Sequence, residues 1–355
     1  ALKKYLKISR WNFRDSNWSP DFSLSSQKGL DLYAKEKGVE NDKIDAVIGF
    51  TPTVIEEILK IGGPIIVNGE EYNSNNFTEK LEYEVEYGYA KRGLSFDDRK
   101  KTLVDLTHAI TARIPLDLFR HWSDYTSLIP RMLAEKQVVL YSVNDAEQEI
   151  LAGKKWGGLM EKYDGDYLMW VDANLGAWKT DAVIERSLSY SFAPLKDEYV
   201  ATATMKFAHK GKFDWRTTRY LDYARVYLPL GSKLVGVKGV VAAKQLHPGA
   251  VDQGVENGKQ WFGAFISIEP GRAGEISFQF KLSPEIVKQI KNNSYKLLAQ
   301  KQIGAVAPQL TLQLNFDKNV RYANPSELSE KHGDTWYDFQ GSLRTDQEVL
   351  VKLSN

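Results

Sequence analysis

Cysteine is absent from all 355 residues, which excludes disulfides, thiolate metal sites and cysteine nucleophiles and leaves an oxidising compartment permitted. Charge of one sign is also lacking. Lys and Arg total 47 against 46 for Asp and Glu, so the overall basic excess that marks nucleic-acid binders is missing and no nucleic-acid partner is expected. No apolar run reaches the roughly 18 residues of a membrane span, and Ala1 opens a segment with neither the basic nor the apolar region of a signal peptide. Histidine is scarce, at five. His108 and His121 fall on different predicted helices with no acid at metal-ligand spacing, and His209, His247 and His332 stand alone, so a satisfied surface or core role is expected of them. No GxGxxG, P-loop, GxSxG or HExxH run occurs, which removes the signatures of nucleotide cofactors, nucleophile-elbow hydrolysis and zincin chemistry. Aromatic residues are plentiful instead: 12%, with nine Trp, which supplies apolar area for a sizeable core and argues against disorder.

The length accommodates two domains. In the first, helical spacing of Leu24, Leu30, Tyr33 and Ala34 predicts a helix over 24–37, capped by Asp21 or Ser23 and closed by Gly38. Residues 44–50 read as a short buried strand, 52–61 as a helix, and 65–67 as a strand entering a hairpin turn at Asn68 and Gly69. Helical periodicity covers 77–87 and 96–114; Pro115 is expected to separate this from a further helix ending near Leu133. Strands follow at 138–143 and 166–171, with a short helix over 145–152 between them. Strands interleaved with helices predict an α/β layered domain with a mixed sheet over 1–183. Beyond it, 186–192, 199–207, 225–228, 276–282, 295–301, 310–316 and 349–353 alternate in the strand period between turn residues, predicting an all-β sandwich-like domain over 184–355.

Two polar stretches are candidates for chemistry. Arg14, Asp15, Asn17, Trp18, Pro20 and Asp21 crowd acids, a base and an amide between aromatics. Arg14 could grip a phosphate or carboxylate bidentately while Asp15 and Asp21 hold a divalent cation or take a proton. The competing role is structural: Asn17 and Asp21 form turns and caps, Pro20 fixes a bend, and Arg14 pairs with an acid. Asp172 and Asn174 leave the end of a predicted strand, where α/β sheets present ligand-binding groups, and Lys179 could balance a phosphate. Tyr163, Asp164, Gly165 and Asp166 read as a tight turn, with too few oxygen ligands for a calcium loop. Trp11, Trp18, Trp170, Trp178, Trp215, Trp261 and Trp336 offer faces for sugars or, as scattered Trp more often do, for the core.

The order of these landmarks resembles the bacterial envelope family called domain of unknown function 4012. Arg14, Asp15, Asn17, Trp18, Pro20, Asp21 and Phe22 look like its arginine-aspartate motif, and Asp45 to Ile48 with Pro52 like its central strand and following helix. Gly63, Pro64 and Val67 resemble the next element. Weaker correspondences run through Asp145, Gln148, Gly157, Gly158, Asp166, Asp172, Asn174 and Lys179 to Tyr227, Pro229, Tyr295, Gln302 and Gly304. The family's upstream segment and membrane anchor are not found here. The resemblance therefore implies a processed fragment of a membrane-anchored precursor, lacking N-terminal strands of its sheet, with its own upstream fragment or further copies of itself as partners at an open edge. It also implies an extracytoplasmic, noncatalytic surface protein that binds envelope glycopolymer or self-assembles. The alternative is a transferase or hydrolase of phosphate-linked polymer, similar in layout to the LytR-CpsA-Psr phosphotransferases. No metal site or cofactor is assigned, beyond a divalent cation at the acids.

Overall fold

The computed structural model describes residues 10–176, 178–240, 250–327 and 333–354; His247 and His332 lie outside them. The chain forms two compact units, one built from Ala1–Gly38 with Leu159–Asn355, the other from Val39–Gly158. This division differs from the expected boundary at 183. The strand at 166–171 and the opening motif both belong with the sandwich, because the strand's partners in the backbone ladder come from later in the chain.

The Val39–Gly158 unit is the α/β region. Its strands β1 (Ala46–Phe50) and β4 (Val138–Ser142) pair antiparallel, Ile48 opposite Leu140. Helix α2 (Pro52–Gly62) starts with proline at its first turn, where the missing N–H costs nothing. Strands β2 (Ile65–Val67) and β3 (Glu70–Tyr72) form the expected hairpin, whose turn residues Asn68 and Gly69 both take positive φ, 52° and 80°. Helix α3 (Phe77–Tyr83) runs on into a π-helical turn at Glu84–Gly88. Helix α4 (Lys101–Arg120) continues through Pro115, contrary to expectation, and the break falls at His121, ahead of α5 (Trp122–Ala134). Apolar contacts on both sides of the proline hold the helix together: Ile110 and Ile114 pack with Leu59, Ile65 and Phe77, and Leu118 with Tyr125 and Leu128. Helix α6 (Asp145–Gly153) follows β4, capped by the Asn144 side chain.

The other unit opens with a 3₁₀ turn at Phe13–Asp15 and α1 (Phe22–Lys35), then forms two sheets. The seven-stranded sheet contains β5 (Asp166–Val171), β8 (Tyr220–Pro229), β10 (Asp252–Glu256), β11 (Lys259–Ile268), β13 (Ser294–Gln300), β15 (Asn319–Asn324) and β17 (Gln347–Ser354), in the order β10-β11-β8-β5-β13-β17-β15. The six-stranded sheet contains β6 (Ile184–Leu195), β7 (Glu198–His209), β9 (Lys233–Lys238), β12 (Ala273–Lys281), β14 (Gln309–Asn315) and β16 (Trp336–Ser342), in the order β16-β14-β6-β7-β12-β9. Helix α7 (Pro284–Lys291) packs Ile286 and Ile290 into the core. Alternate residues from both sheets fill one continuous apolar core, as β-sandwich geometry requires: Leu168 and Trp170 from β5, Leu188, Tyr190 and Phe192 from β6, Val226 and Leu228 from β8.

Two strand expectations need correction. Strand β5, expected in the α/β domain, is buried on both faces and central in the sandwich, parallel to β13 and antiparallel to β8. A run of apolar residues says that a strand is covered on both sides, not which sheet covers it. Strand β1, expected to be buried, leaves Ile48 and Phe50 64% and 63% exposed, so the face of the sheet they share is open.

Candidate functional site

The opening motif anchors α1 to the sandwich. Asp21 is buried and caps α1, its Oδ1 accepting from Leu24 N–H at 3.2 Å. Its Oδ2 accepts from Met160 N–H and from the Asn257 amide, both at 2.9 Å. Ser19 donates to the Glu256 carboxylate. Trp18 stacks on Tyr223 with ring centroids 5.7 Å apart, and the Arg225 guanidinium lies 4.4 Å from the Trp18 ring while donating to the Trp18 carbonyl at 2.9 Å. Asp15 accepts from Asn12 N–H at 3.0 Å. Arg14 is 77% exposed, 3.8 Å from Asp15, and Asn17 is exposed.

Asp172 belongs to a second group, at the end of β5. Its carboxylate accepts from Arg186 Nε at 2.6 Å and from Trp170 Nε1 at 2.7 Å. Gln302 holds its backbone at both ends, accepting from Asp172 N–H and donating to the Asp172 carbonyl. The rest of the Arg186 guanidinium reaches Asp181 at 2.6 Å, Tyr220 Oη at 2.9 Å and the Ile184 carbonyl at 3.1 Å. Burial opposes charge on Arg186, yet the surrounding Tyr220, Asp172 and Asp181 oxygens outweigh it and raise its affinity for the proton. Asp222, fully buried, accepts from Ala173 N–H at 2.7 Å through Oδ1. Burial, with Asp172 as a like charge nearby, pushes Asp222 well above the carboxylate range. Since Arg186 stands on β6 and Asp172 just beyond β5, the pair clasps the two sheets together.

A third group closes the other end of β5. Asp166, expected to finish a turn, is fully buried and accepts from Tyr190 Oη at 2.6 Å, Tyr295 Oη at 2.7 Å and Tyr167 N–H at 2.8 Å. Burial raises it to about 6 despite these three donors.

The sequence candidates thus divide. Asn174 accepts from Gly176 N–H at 3.0 Å and forms a backbone bridge with Asp222. Lys179 is exposed and its N–H goes to the Arg216 carbonyl at 3.0 Å. The expectation that Asp172 and Asn174 line an α/β crevice falls away, since β5 is a sandwich strand. Arg186 and Asp222 were not singled out in the sequence, and Asp166 was read as part of a turn. Arg186 and Asp222 do carry a signal, because each occupies an inward position of an alternating strand, between Ile184 and Leu188 and between Tyr220 and Ala224. His209 is buried and satisfied, Nδ1 accepting from Gly211 N–H and Nε2 facing the Thr218 carbonyl at 2.7 Å. Among the described residues no cluster of three His, Asp or Glu is arranged to hold a metal, and no helix is long and apolar enough to cross a membrane.

The fold defines a protein with an α/β region and a β-sandwich in which Asp21, Asp166, Asp172 and Arg186 are engaged in the frame. The sequence model of the family described as "Protein of unknown function (DUF4012)" matches residues 2–86, so the chain is similar to that family over the opening motif, β1, α2 and the β2–β3 hairpin. The correspondences drawn from Asp145 onward lie outside the matched residues. No curated protein matches the chain. Among solved structures, a candidate nutrient-binding protein from Legionella pneumophila is similar over 53% of this chain and 71% of its own, at 8% identity and TM-score 0.33. An M1 zinc metallopeptidase from Deinococcus radiodurans is similar over 48% of this chain and 42% of its own, at 9% identity and TM-score 0.24. Leukotriene A4 hydrolase from Saccharomyces cerevisiae is similar over 50% and 31%, at 9% identity and TM-score 0.28. Likenesses at these scores carry no functional inference.

Proposed function

We propose that this is a noncatalytic protein of the bacterial cell envelope, outside the cytoplasm, that works through its surfaces by binding envelope glycopolymer and by assembling with copies of itself. The observation that carries the reading is the engagement of Asp21, Asp172 and Arg186. Asp21 is committed to backbone and amide N–H groups, Asp172 to an indole and a guanidinium, and Arg186 to two carboxylates and a phenol. A general acid or nucleophile needs a free reacting atom within reach of substrate. The exposed members, Arg14, Asn17 and Lys179, have solvent around them instead.

Polymer binding has a candidate place. The outer face of the six-stranded sheet carries an open groove of about 990 Å³, lined among others by Glu185, Ser187, Lys206, Lys210, Glu275 and Gln309. Donors and acceptors of both charge signs along a strand face suit a hydroxyl-rich, phosphate-bearing chain. The competing reading is a transferase or hydrolase of phosphate-linked polymer. Calorimetric titration with purified wall glycopolymer, followed by sizing of the polymer, separates the two. Saturable binding weakened about tenfold by Lys206→Ala with Lys210→Ala, a loss of the order seen for charge-assisted contacts, and polymer of unchanged length support the reading. Absence of binding, or shortened or transferred polymer, overturns it.

A further inference from the structure

The six-stranded sheet turns a polar face outward, and its register sorts that face into rows running across the strands. The groove described above holds the first row, Gln309, Ser187, Lys206 and Glu275, on β14, β6, β7 and β12. Two residues further along each strand, the second row is Thr311, Ser189, Thr204 and Ser277. The third is Gln313, Ser191, Thr202 and Gln279. The pleat puts them all opposite the core side chains of Leu188, Tyr190, Ala203, Met205, Phe278 and Leu312. The second and third rows thus carry eight hydroxyl or amide groups and no charge, in a chain of which 26% is charged. All eight residues are half-buried or exposed. Long charged side chains keep a sheet face solvated and resist contact, because ordering them costs conformational entropy, and Lys and Glu are depleted from interfaces. Ser and Thr lose less on contact, and each hydroxyl both donates and accepts. The Thr204 and Ser277 hydroxyls are already joined at 2.7 Å.

This chemistry selects the partner. An ionic ligand gains nothing from two uncharged rows, and neither row offers an aromatic or aliphatic platform to an apolar one. Even in the first row Lys206 lies 3.8 Å from Glu275, and beside it Lys210 lies 3.1 Å from Glu185, so those charges compensate one another. A dense field of groups that both donate and accept matches a neutral chain with hydroxyls along its edges. The rows also supply a spacing. Neighbouring strands are about 4.8 Å apart, close to the advance of one sugar in an extended β-linked chain, so consecutive sugars meet consecutive strands. A second hollow, of about 530 Å³, continues the face over β16, with Thr311, Gln313 and Gln340 in its wall. We infer that the two uncharged rows are a binding face for the neutral sugar backbone of an extended polysaccharide, laid across β14, β6, β7 and β12 with the charged row along one side. The inference rests on the glycopolymer-binding reading above and deepens it by giving the neutral sugars, not the phosphates, the larger contact.

An uncharged probe tests it. Calorimetric titration with the hexasaccharide of β-linked N-acetylglucosamine should show saturable binding whose affinity changes less than about twofold between low and high salt, since the contact is not ionic. Thr204→Val keeps the β-branched shape that suits a strand and removes one hydroxyl. It should weaken binding about fivefold, the order of one lost hydrogen bond. Ser191→Arg combined with Thr204→Arg plants long side chains on the rows and should weaken binding roughly tenfold or more, whereas Thr107→Arg, on the exposed side of α4, should not. Urea unfolding of each variant checks that the fold is kept. Absence of hexasaccharide binding, or binding that survives the paired arginines, overturns the inference. Phosphate-bearing wall glycopolymer that binds through Lys206 and Lys210 while the hexasaccharide does not would remove this inference alone. Failure of both ligands would remove the glycopolymer reading with it.

Discussion

At the scale of single residues, position within a strand decides what a charge does. Asp166 illustrates the energetic consequence. Its carboxyl is raised from 3.8 to about 6 chiefly by burial, so the folded state holds the proton more tightly than the unfolded chain. The stability this provides is complete below about pH 4 and is lost as pH rises through about 6. Each tenfold gain in proton affinity is worth about 1.4 kcal/mol, which makes the loss about 3 kcal/mol. Urea unfolding from pH 4 to 7 should show that decline, and Asp166→Asn, which cannot ionise, should flatten it; an unchanged slope would count against a neutral Asp166. Arg14 is the opposite case. With its side chain 77% exposed and 3.8 Å from Asp15, Arg14→Ala should shift stability by no more than about 0.5 kcal/mol, measurable in the same titration.

At the scale of elements, Asp21 ties α1 to the sandwich. Asp21→Ala removes a helix cap, worth about 1 kcal/mol, and strands the Met160 N–H and Asn257 amide beside it. A total loss of about 2–4 kcal/mol is expected from chemical unfolding, while Asp21→Asn should recover part of it by keeping one acceptor. The legibility of the sequence follows the same division between local and distant partners. The cap of α1, the Asn68–Gly69 turn and most sandwich strands could be read, because each rests on spacing or turn chemistry contained in a few residues. The path of α4 through Pro115 could not, since contacts from α2, β2 and α5 hold both sides of it. Nor could the sheet to which β5 belongs, which is set by strands some fifty or more residues later. At the site, Asp21 and Asp172 were legible as important and illegible in role, because Asn257 and Arg186 are remote in sequence.

At the scale of the whole molecule, the two units differ in how apolar area is gathered. The sandwich has one continuous core drawn from both sheets, whereas the Val39–Gly158 unit has separate, smaller clusters. Amide exchange should therefore be slowest in β5, β8 and β13 and faster throughout Val39–Gly158, since local opening follows the amount of buried contact. Uniform exchange across both units would contradict this. On the proposed reading, Asp21, Asp172 and Arg186 build the frame and function lies on the surface. Asp172→Ala tests it most directly, measured at once for urea stability and for glycopolymer affinity of the folded protein. Because the change removes one of the two acids that Arg186 holds at 2.6 Å and leaves the half-exposed Asp181 as the other, a loss of about 3 kcal/mol in stability with affinity unchanged is expected. Stability within about 0.5 kcal/mol of the parent, together with abolished binding or turnover, would contradict it.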